Sequence, residues 1–350
     1  MGQQLPSGLF KRLVSRRHVL ASSALGVGVP AAMLGLRGTG QAAAEVPAQR
    51  AAGATHRITM YAEAIAGTNM IGYGLAPGQA TVPGPILEMY EGDTMEITLV
   101  NTTDKRLSIH PHGVDYTVEN DGAPLNGSFN NPGETRTYVW KSREMFQAEG
   151  RRWMPGSAGY WHYHDHAMGN DHGTAGLIRG LYGALIVRRR GDILPRRQYT
   201  VVFNGTQINN RLAPNTPMFE ANLGERVEWL VIAHGEFFHT FHLHAHRWAD
   251  NRTGMLEGPT DPSQVIDNKD INPGSSFGFQ VLAGEGVGPG VWMYHCHVQN
   301  HSDGGMVGLF LVRNADGSMP AGAQEAIDRF NGHVHTPAAA PAQAQPHVHG

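Results

Sequence analysis

Near the end of the chain, Trp292-Met293-Tyr294-His295-Cys296-His297-Val298-Gln299-Asn300-His301 runs on to Met306 and holds the one cysteine among 350 residues. On a β-strand, side chains alternate between faces, so His295 and His297 point one way and Cys296 the other. The thiolate can then ligate one metal while its two neighbours ligate a second. A thiolate, a histidine five residues on and a methionine ten residues on, with a further histidine from elsewhere, make a mononuclear copper set of two imidazoles, one thiolate and a weak axial thioether. The competing reading is a buried structural cysteine between two surface histidines.

Other histidines decide between these readings. His-x-His pairs also occur at His110/His112, His162/His164 and His242/His244. Their spacing exposes a duplication. Gly92 to His110 and Gly224 to His242 are both 18 residues. Pairs one and three are shifted by 132 residues, pairs two and four by 133. Glu91-Gly92-Asp93-Thr94-Met95-Glu96-Ile97 parallels Leu223-Gly224-Glu225-Arg226-Val227-Glu228-Trp229, a glycine turn before an alternating strand. Leu181–Val187 parallels Met306–Val312, an apolar run suited to a buried last strand. At these shifts Cys296 falls on Tyr163, His239 on Leu107 and Met306 on Leu181. The first half therefore lacks thiolate, upstream histidine and methionine together. One mononuclear site is expected, in the second half, with the eight paired histidines serving something shared.

The elements that must position these groups are strands. Gly 45 and Pro 21, with Val, Thr and aromatics in short runs, indicate an all-β protein with many turns. Each half has the size of a Greek-key β-sandwich. The expected limits are 54–190 for domain 1 and 196–315 for domain 2, which holds the cysteine. Arg188-Arg189-Arg190-Gly191-Asp192 is the connection. The tail 317–350, rich in Ala, Pro and Gln, is expected to be mostly disordered apart from one short helical stretch. Its pairs His333/His335 and His347/His349 read as incidental or loosely copper-scavenging groups.

Lys11, Arg12, Arg16 and Arg17 precede an apolar run, and Ala42-Ala43-Ala44 offers a cleavage site. Residues 1–44 thus read as a signal peptide. Ser15-Arg16-Arg17-His18-Val19-Leu20 resembles a bacterial twin-arginine signal, which implies export to the periplasm or beyond the cell. No other apolar stretch is long enough for a bilayer, so no membrane span is expected in the mature chain. A net charge of −3 without a basic, aromatic-interleaved patch argues against nucleic acid. One cysteine excludes an intrachain disulfide framework.

Four segments together carry a family resemblance: His110-Pro111-His112-Gly113, Trp161-His162-Tyr163-His164, His239-Thr240-Phe241-His242-Leu243-His244, and His295-Cys296-His297 with His301 and Met306. In order and spacing they resemble the copper motifs of multicopper oxidases. Val82-Pro83-Gly84-Pro85 before Gly92-Asp93 resembles the first cupredoxin domain of that family. With two domains, the chain resembles a bacterial two-domain small laccase. The resemblance implies two cupredoxin-like Greek-key sandwiches and four coppers per active unit. It implies a type 1 copper on His239, Cys296, His301 and Met306. Type 2 falls on His110 and His242, and the type 3 pair on His112, His162, His164, His244, His295 and His297. It also implies a homotrimer with clusters shared between subunits. Pro111 departs from the family pattern and predicts an edge or bulged strand there.

The implied activity is one-electron oxidation of phenolic or similar aromatic donors at type 1 copper. This is coupled to four-electron reduction of O₂ to water at a three-copper cluster. Asp121 and Asp115 are candidate proton relays, against a plain turn aspartate before Gly122. Tyr116 is a candidate redox-active side chain, against a structural tyrosine. His166 and His172 are expected to order a loop, and His56, His234 and His246 to be structural. The alternatives are a metal-ion oxidase for Cu(I) or Fe(II) on the same sites, a copper nitrite reductase, and a non-catalytic cupredoxin. The nitrite reductase would need a cysteine in the first domain. The cupredoxin would leave the paired histidines unexplained.

Overall fold

The computed structural model describes residues 53–336. The signal segment 1–44 and the pair His347/His349 lie outside the described residues.

The first half contributes β1 (Thr55–Ala64), β2 (Ile71–Gly74), β3 (Leu87–Tyr90), β4 (Thr94–Asn101), β5 (His110–Pro111) and β6 (Thr135–Lys141). A small ribbon, β7 (Phe146–Gln147) and β8 (Trp153–Met154), precedes β9 (Gly159–His164), α1 (Thr174–Arg179) and β10 (Tyr182–Arg188). One sheet has the order β2-β1-β4-β6 and the other β3-β10-β9-β5. Strand β4 alternates buried and half-buried positions along its length, as a strand with one wet face must. Its inward residues Met95, Ile97 and Leu99 meet Leu87, Met89, Tyr163 and Leu185 of the second sheet.

The second half repeats this plan. It comprises β11 (Arg197–Asn204), β12 (Gln207–Ile208), β13 (Met218–Asn222), β14 (Arg226–His234), β15 (His239–Leu243), the ribbon β16 (Trp248–Ala249) and β17 (Val265–Ile266), β18 (Asn268–Ile271), β19 (Ser276–Leu282), β20 (Gly290–Cys296), α2 (Gln299–Asp303) and β21 (Val307–Arg313). The sheets run β12-β11-β14-β19 and β13-β21-β20-β15-β18. Trp229, Phe241, Phe279, Tyr294 and Phe310 fill the space between them, all fully buried. A side chain of this size stabilises the fold by roughly 1.5–3 kcal/mol when it leaves water. Helix α3 (Ala323–Gly332) follows the second sandwich.

The halves are joined by a third apolar cluster. Tyr160, Tyr182, Ala184 and Ile186 of the β9–β10 face pack on Val202, Leu230 and Ile232 of the β11–β14 face. This explains why every residue of β10 is buried: both of its faces are covered. The seam also holds a buried ion pair. Arg188 donates to Glu88 (2.6 and 2.9 Å) and to Glu228 (3.0 and 2.7 Å). Gln198, Gln280 and Tyr160 donate to the Glu228 carboxylate as well. Such a pair is costly to bury but fully satisfied here, and losing one partner costs about 3–5 kcal/mol.

Candidate metal centre

Strand β20 ends on Cys296, and the alternation expected from sequence holds there. Cys296 faces the core and is fully buried. Its Sγ lies 3.6 Å from Nδ1 of His239 and 3.6 Å from Nδ1 of His301. His239 begins β15, while His301 sits on the short helix α2. The three ligand atoms lie within 4.8 Å of one another. With metal–sulfur and metal–nitrogen bonds of about 2.3 and 2.0 Å, a near-trigonal centre puts S and N about 3.6 Å apart. Met306 is fully buried, and its carbonyl accepts the Cys296 N–H at 3.1 Å. Two imidazoles and a cysteine sulfur gathered at one point, with Met306 in the same buried core, are donors of the types a mononuclear copper centre uses.

The histidine pairs form two separate sets. In the second half, His242 stands opposite His295 in the β15–β20 ladder. His244 Nε2 lies 3.2 Å from His295 Nε2, and the His297 ring is 5.4 Å from that of His242. In the first half, His110 stands opposite His164 in the β5–β9 ladder. His112 Nε2 lies 3.1 Å from His164 Nε2, and the His166 ring is 5.1 Å from that of His110. Two nitrogens at this separation subtend about 100° at an ion roughly 2.0 Å from each. Strand β5 is the edge of its sheet, which accommodates Pro111 as expected.

This register corrects the sequence alignment of the halves. His164, not His162, is the counterpart of His295, so the shift along this strand is 131 residues and not 133. Backbone hydrogen bonds repeat the match. His112 N–H donates to the His162 carbonyl as His244 N–H does to that of Met293. Asp165 N–H donates to Leu181 as Cys296 N–H does to Met306. His166 N–H meets the Ser108 hydroxyl as His297 N–H meets that of Thr240. The counterpart of Cys296 is therefore Asp165, not Tyr163, while Leu107 and Leu181 keep their expected places. His166, read from sequence as a loop residue, is the counterpart of His297. The repeated Tyr-His-x-His of Tyr163–His166 and Tyr294–His297 was the available signal.

His162 belongs elsewhere. Its ring stacks on His112 at 3.9 Å, its Nδ1 meets Ser276 Oγ at 3.2 Å, and it contacts the His234 ring at 5.1 Å. Ser276 and His234 come from the second half, so His162 braces His112 against that sandwich. His234 is thus part of the surroundings of the first set. His246 is structural: one ring nitrogen donates to the His244 carbonyl and the other accepts Gly284 N–H. His56 pairs with Asp93 at 2.7 Å. His172 is exposed, with its ring 5.6 Å from that of His166. Asp165 orders the start of this loop, accepting Ser108 and Met168 N–H groups at 2.7 and 2.8 Å.

Backbone carbonyls orient four of the imidazoles. His110 Nδ1 donates to Asp121, His164 to Asp165, His242 to Asp267 and His295 to Cys296, at 2.6–2.8 Å. A carbonyl only accepts, so Nδ1 carries the proton and Nε2 presents its lone pair. Burial pushes His112 and His295 down to about 4, and also lowers His110, His164 and His244. Neutral imidazole is the ligating form. The Asp121 carboxylate lies 3.3 Å from His110 Nδ1, and the Tyr116 ring is 5.7 Å from that of His110. Asp115 instead pairs with Arg143 at 3.3 Å. Gly113 has φ of 75°, and a Cβ there would lie 2.0 Å from the Trp161 ring, so the glycine after His112 is a steric requirement.

Among the described residues, no hydrogen bond or ring contact joins the set of His110, His112, His164 and His166 to the set of His242, His244, His295 and His297. His297 is exposed, and His242 and His244 are half-buried. The nitrogens of each set fit copper by type and spacing.

Sequence profiles described as multicopper oxidase match residues 78–192 and 192–316, together more than half the chain. A probable nitrite reductase-hydroxylamine oxidoreductase fusion protein of Kuenenia stuttgartiensis is 35% identical over 265 residues, covering 69% of this chain and 28% of that protein. Ferroxidase HEPHL1 of Mus musculus is 26% identical over 293 residues, covering 68% of this chain and 23% of that protein. The chain thus spans about a quarter of the length of these curated relatives. The solved blue copper oxidase from Nitrosomonas europaea superposes with a TM-score of 0.54 at 22% identity, covering 75% of this chain and 86% of that one, a likeness of fold. With both sandwiches matched by adjoining profiles, the chain belongs to the multicopper oxidase family, copper-dependent oxidoreductases of cupredoxin fold.

Proposed function

We propose that the chain is a laccase-type oxidase that takes electrons singly from phenolic or similar aromatic donors and delivers four to O₂. The observation that supports it is Cys296, which faces one metal set while His295 and His297 on either side face another. In this reading His239, Cys296, His301 and Met306 hold type 1 copper. His110 and His242 hold type 2, and His112, His164, His166, His244, His295 and His297 hold the type 3 pair. His166 replaces His162 in the set read from sequence. Bound copper supplies the one-electron steps and the site of O₂ reduction, four ions per active unit.

The chain's own residues do the rest. The peptide from Cys296 to its neighbours is the covalent route between the sets. Asp121, beside His110, holds a carboxylate where protons are needed, and Tyr116 lies against the same ring. The donor would enter beside His301. The Phe237 ring is 5.8 Å from that of His301 and lines a cavity of about 630 Å³ with Leu177, Ile178 and Leu212. Glu236 is its one charged lining residue. Its apolar side chains alternate with Thr174, Asn204, Thr206 and Gln207, so the cleft offers both a ring surface and hydrogen-bonding groups to an aromatic donor.

The two open histidine sets also motivate assembly. Domain 1 (54–190) of one chain would face domain 2 (196–315) of the next, closing a homotrimer by head-to-tail contacts. Export through a twin-arginine signal remains part of the proposal. Among the described residues, no helix is long and apolar enough to cross a membrane.

A second reading, metal-ion oxidation, is favoured by the ferroxidase relative. The test is O₂ uptake by the copper-loaded chain with a substituted phenol, Fe(II) or Cu(I) as donor, and with nitrite offered as rival acceptor. The expected result is fastest uptake with the phenol and water as product. Uptake confined to Fe(II) or Cu(I) makes it a metal-ion oxidase, and nitrite consumption without O₂ uptake overturns both.

A further inference from the structure

The cavity beside His301 is bordered by the loop Gly235-Glu236-Phe237-Phe238, which joins β14 to β15. Glu236 is exposed, and among the described residues it has no hydrogen-bond or ion-pair partner. Its carboxylate can only accept hydrogen bonds. Asn204, buried in the cavity wall, gives both amide hydrogens away, to the Leu177 carbonyl and to Asn210 Oδ1, each at 2.8 Å. Its own Oδ1 is left as a second acceptor.

The ring beside the carboxylate completes the pattern. Phe237 is 49% exposed, and its ring lies 5.8 Å from that of His301. An open aromatic face and a free carboxylate both attract positive charge, the first through its quadrupole and the second by direct Coulomb attraction. Among the described residues no Lys or Arg lines the cavity to offset them.

We propose that this cavity selects aromatic donors that carry a cationic ammonium group, and that Glu236 sets the preference. The ammonium is held by the Glu236 carboxylate and the Phe237 ring, and its N–H groups find a further acceptor in Asn204 Oδ1. The same carboxylate repels donors that bear a negative charge. No bond forms or breaks in this recognition. The donor class rests on the reading of this cavity as the donor entry, whereas the preference for cations does not.

The experiment uses the full copper-loaded chain with methoxytyramine and dihydroferulate, which share one methoxyphenol ring and differ in the charge at the end of an alkyl chain. The chain insulates the ring from that charge, so the two phenols give up an electron alike. At low salt kcat/KM should favour the amine about tenfold, through KM rather than kcat, the scale expected when one unit charge is attracted and the other repelled near a surface. High salt should shrink the ratio. Glu236→Gln should bring it to about one, and Glu236→Asp should keep most of it, with the blue absorption and copper content of both variants unchanged. A wild-type ratio of about one, or a ratio that survives in Glu236→Gln, overturns the proposal. Binding is read apart from turnover, by titration calorimetry with phenyltrimethylammonium and benzenesulfonate. A cation preference that is lost in Glu236→Gln, with neither phenol oxidised, supports the selectivity and overturns the phenol-oxidase reading. Equal binding of the two ions overturns the selectivity, whatever donor the chain oxidises.

Discussion

The segments Tyr163-His164-Asp165-His166 and Tyr294-His295-Cys296-His297 are the same piece of sandwich put to different use. In both, the tyrosine is fully buried and donates to a proline carbonyl at 2.6 Å, Pro85 in one case and Pro217 in the other. In both, the histidines face outward into a half-set. The residue between them faces the core and decides the rest. In the second half it is Cys296, with His239 and His301 each 3.6 Å from its sulfur and Met306 in the same core. In the first half it is Asp165, with Leu107 and Leu181 in those places. Asp165 is completed by two backbone N–H groups and needs no ion. The duplicated fold thus repeats its outer histidines, while the inner position differs: a cysteine beside two imidazoles in one copy, a capped carboxylate in the other.

The largest expected effect comes from removing the side chain that distinguishes the copies. Cys296→Ser should abolish the intense thiolate-to-copper absorption and all donor oxidation, while copper still binds at the histidine sets. A variant that kept its blue band would end the type 1 assignment. Next comes the register. His166→Ala should lose a type 3 ligand and more than about 100-fold in activity, beyond the 10–100-fold typical of supporting groups. His162→Ala should keep the full copper content and lose about tenfold, because it removes only the brace on His112. Copper counts on the two proteins decide between the 131-residue and 133-residue alignments. The reverse outcome would restore His162 as ligand.

This misreading has a physical cause. His162 and His164 alternate on β9 and His166 follows two residues beyond its end, so in sequence all three fall on the same parity. A slip of two residues preserves that parity, and alternation alone cannot reveal it. The repeated Tyr-His-x-His in the sequence and, in the structure, His110 opposite His164 fix the choice. The all-β plan and the convergence of Cys296 with His239 and His301 were legible because each rests on residue type and on spacing within a half. The separation of the two histidine sets was not legible, since it depends on how the sandwiches pack through Tyr160, Tyr182 and Arg188.

Asp165→Ala tests whether the first copy's carboxylate is structural. It leaves the Ser108 and Met168 N–H groups buried without an acceptor, at about 1–3 kcal/mol each. Urea denaturation should show a loss of roughly 2–6 kcal/mol with the type 1 absorption unchanged. Unchanged stability would mean that water replaces the carboxylate. Met306→Leu should act on the other copy more gently. Losing a weak donor to the oxidised ion should raise the potential and leave the site blue. A redox titration that shows no change would remove Met306 from the ligand set.

The weakest signal comes from joining the copies across chains. Take one protein lacking His110 and His112, and another lacking His242 and His244. Each alone has one complete half-set and should be inactive. Co-expressed in equal amounts, they mix in a ring of head-to-tail contacts. A contact is complete only where an intact first domain meets an intact second domain, which random mixing gives about one time in four. Activity should therefore recover to about a quarter of wild type. If the sets instead met within a chain, no mixture could restore them, because every chain lacks one set. Mixed oligomers demonstrated by mass, yet inactive, would refute assembly between chains. So would a fully active monomer. Either result would leave the register and the thiolate site untouched, because both are fixed by ladders within a single sandwich.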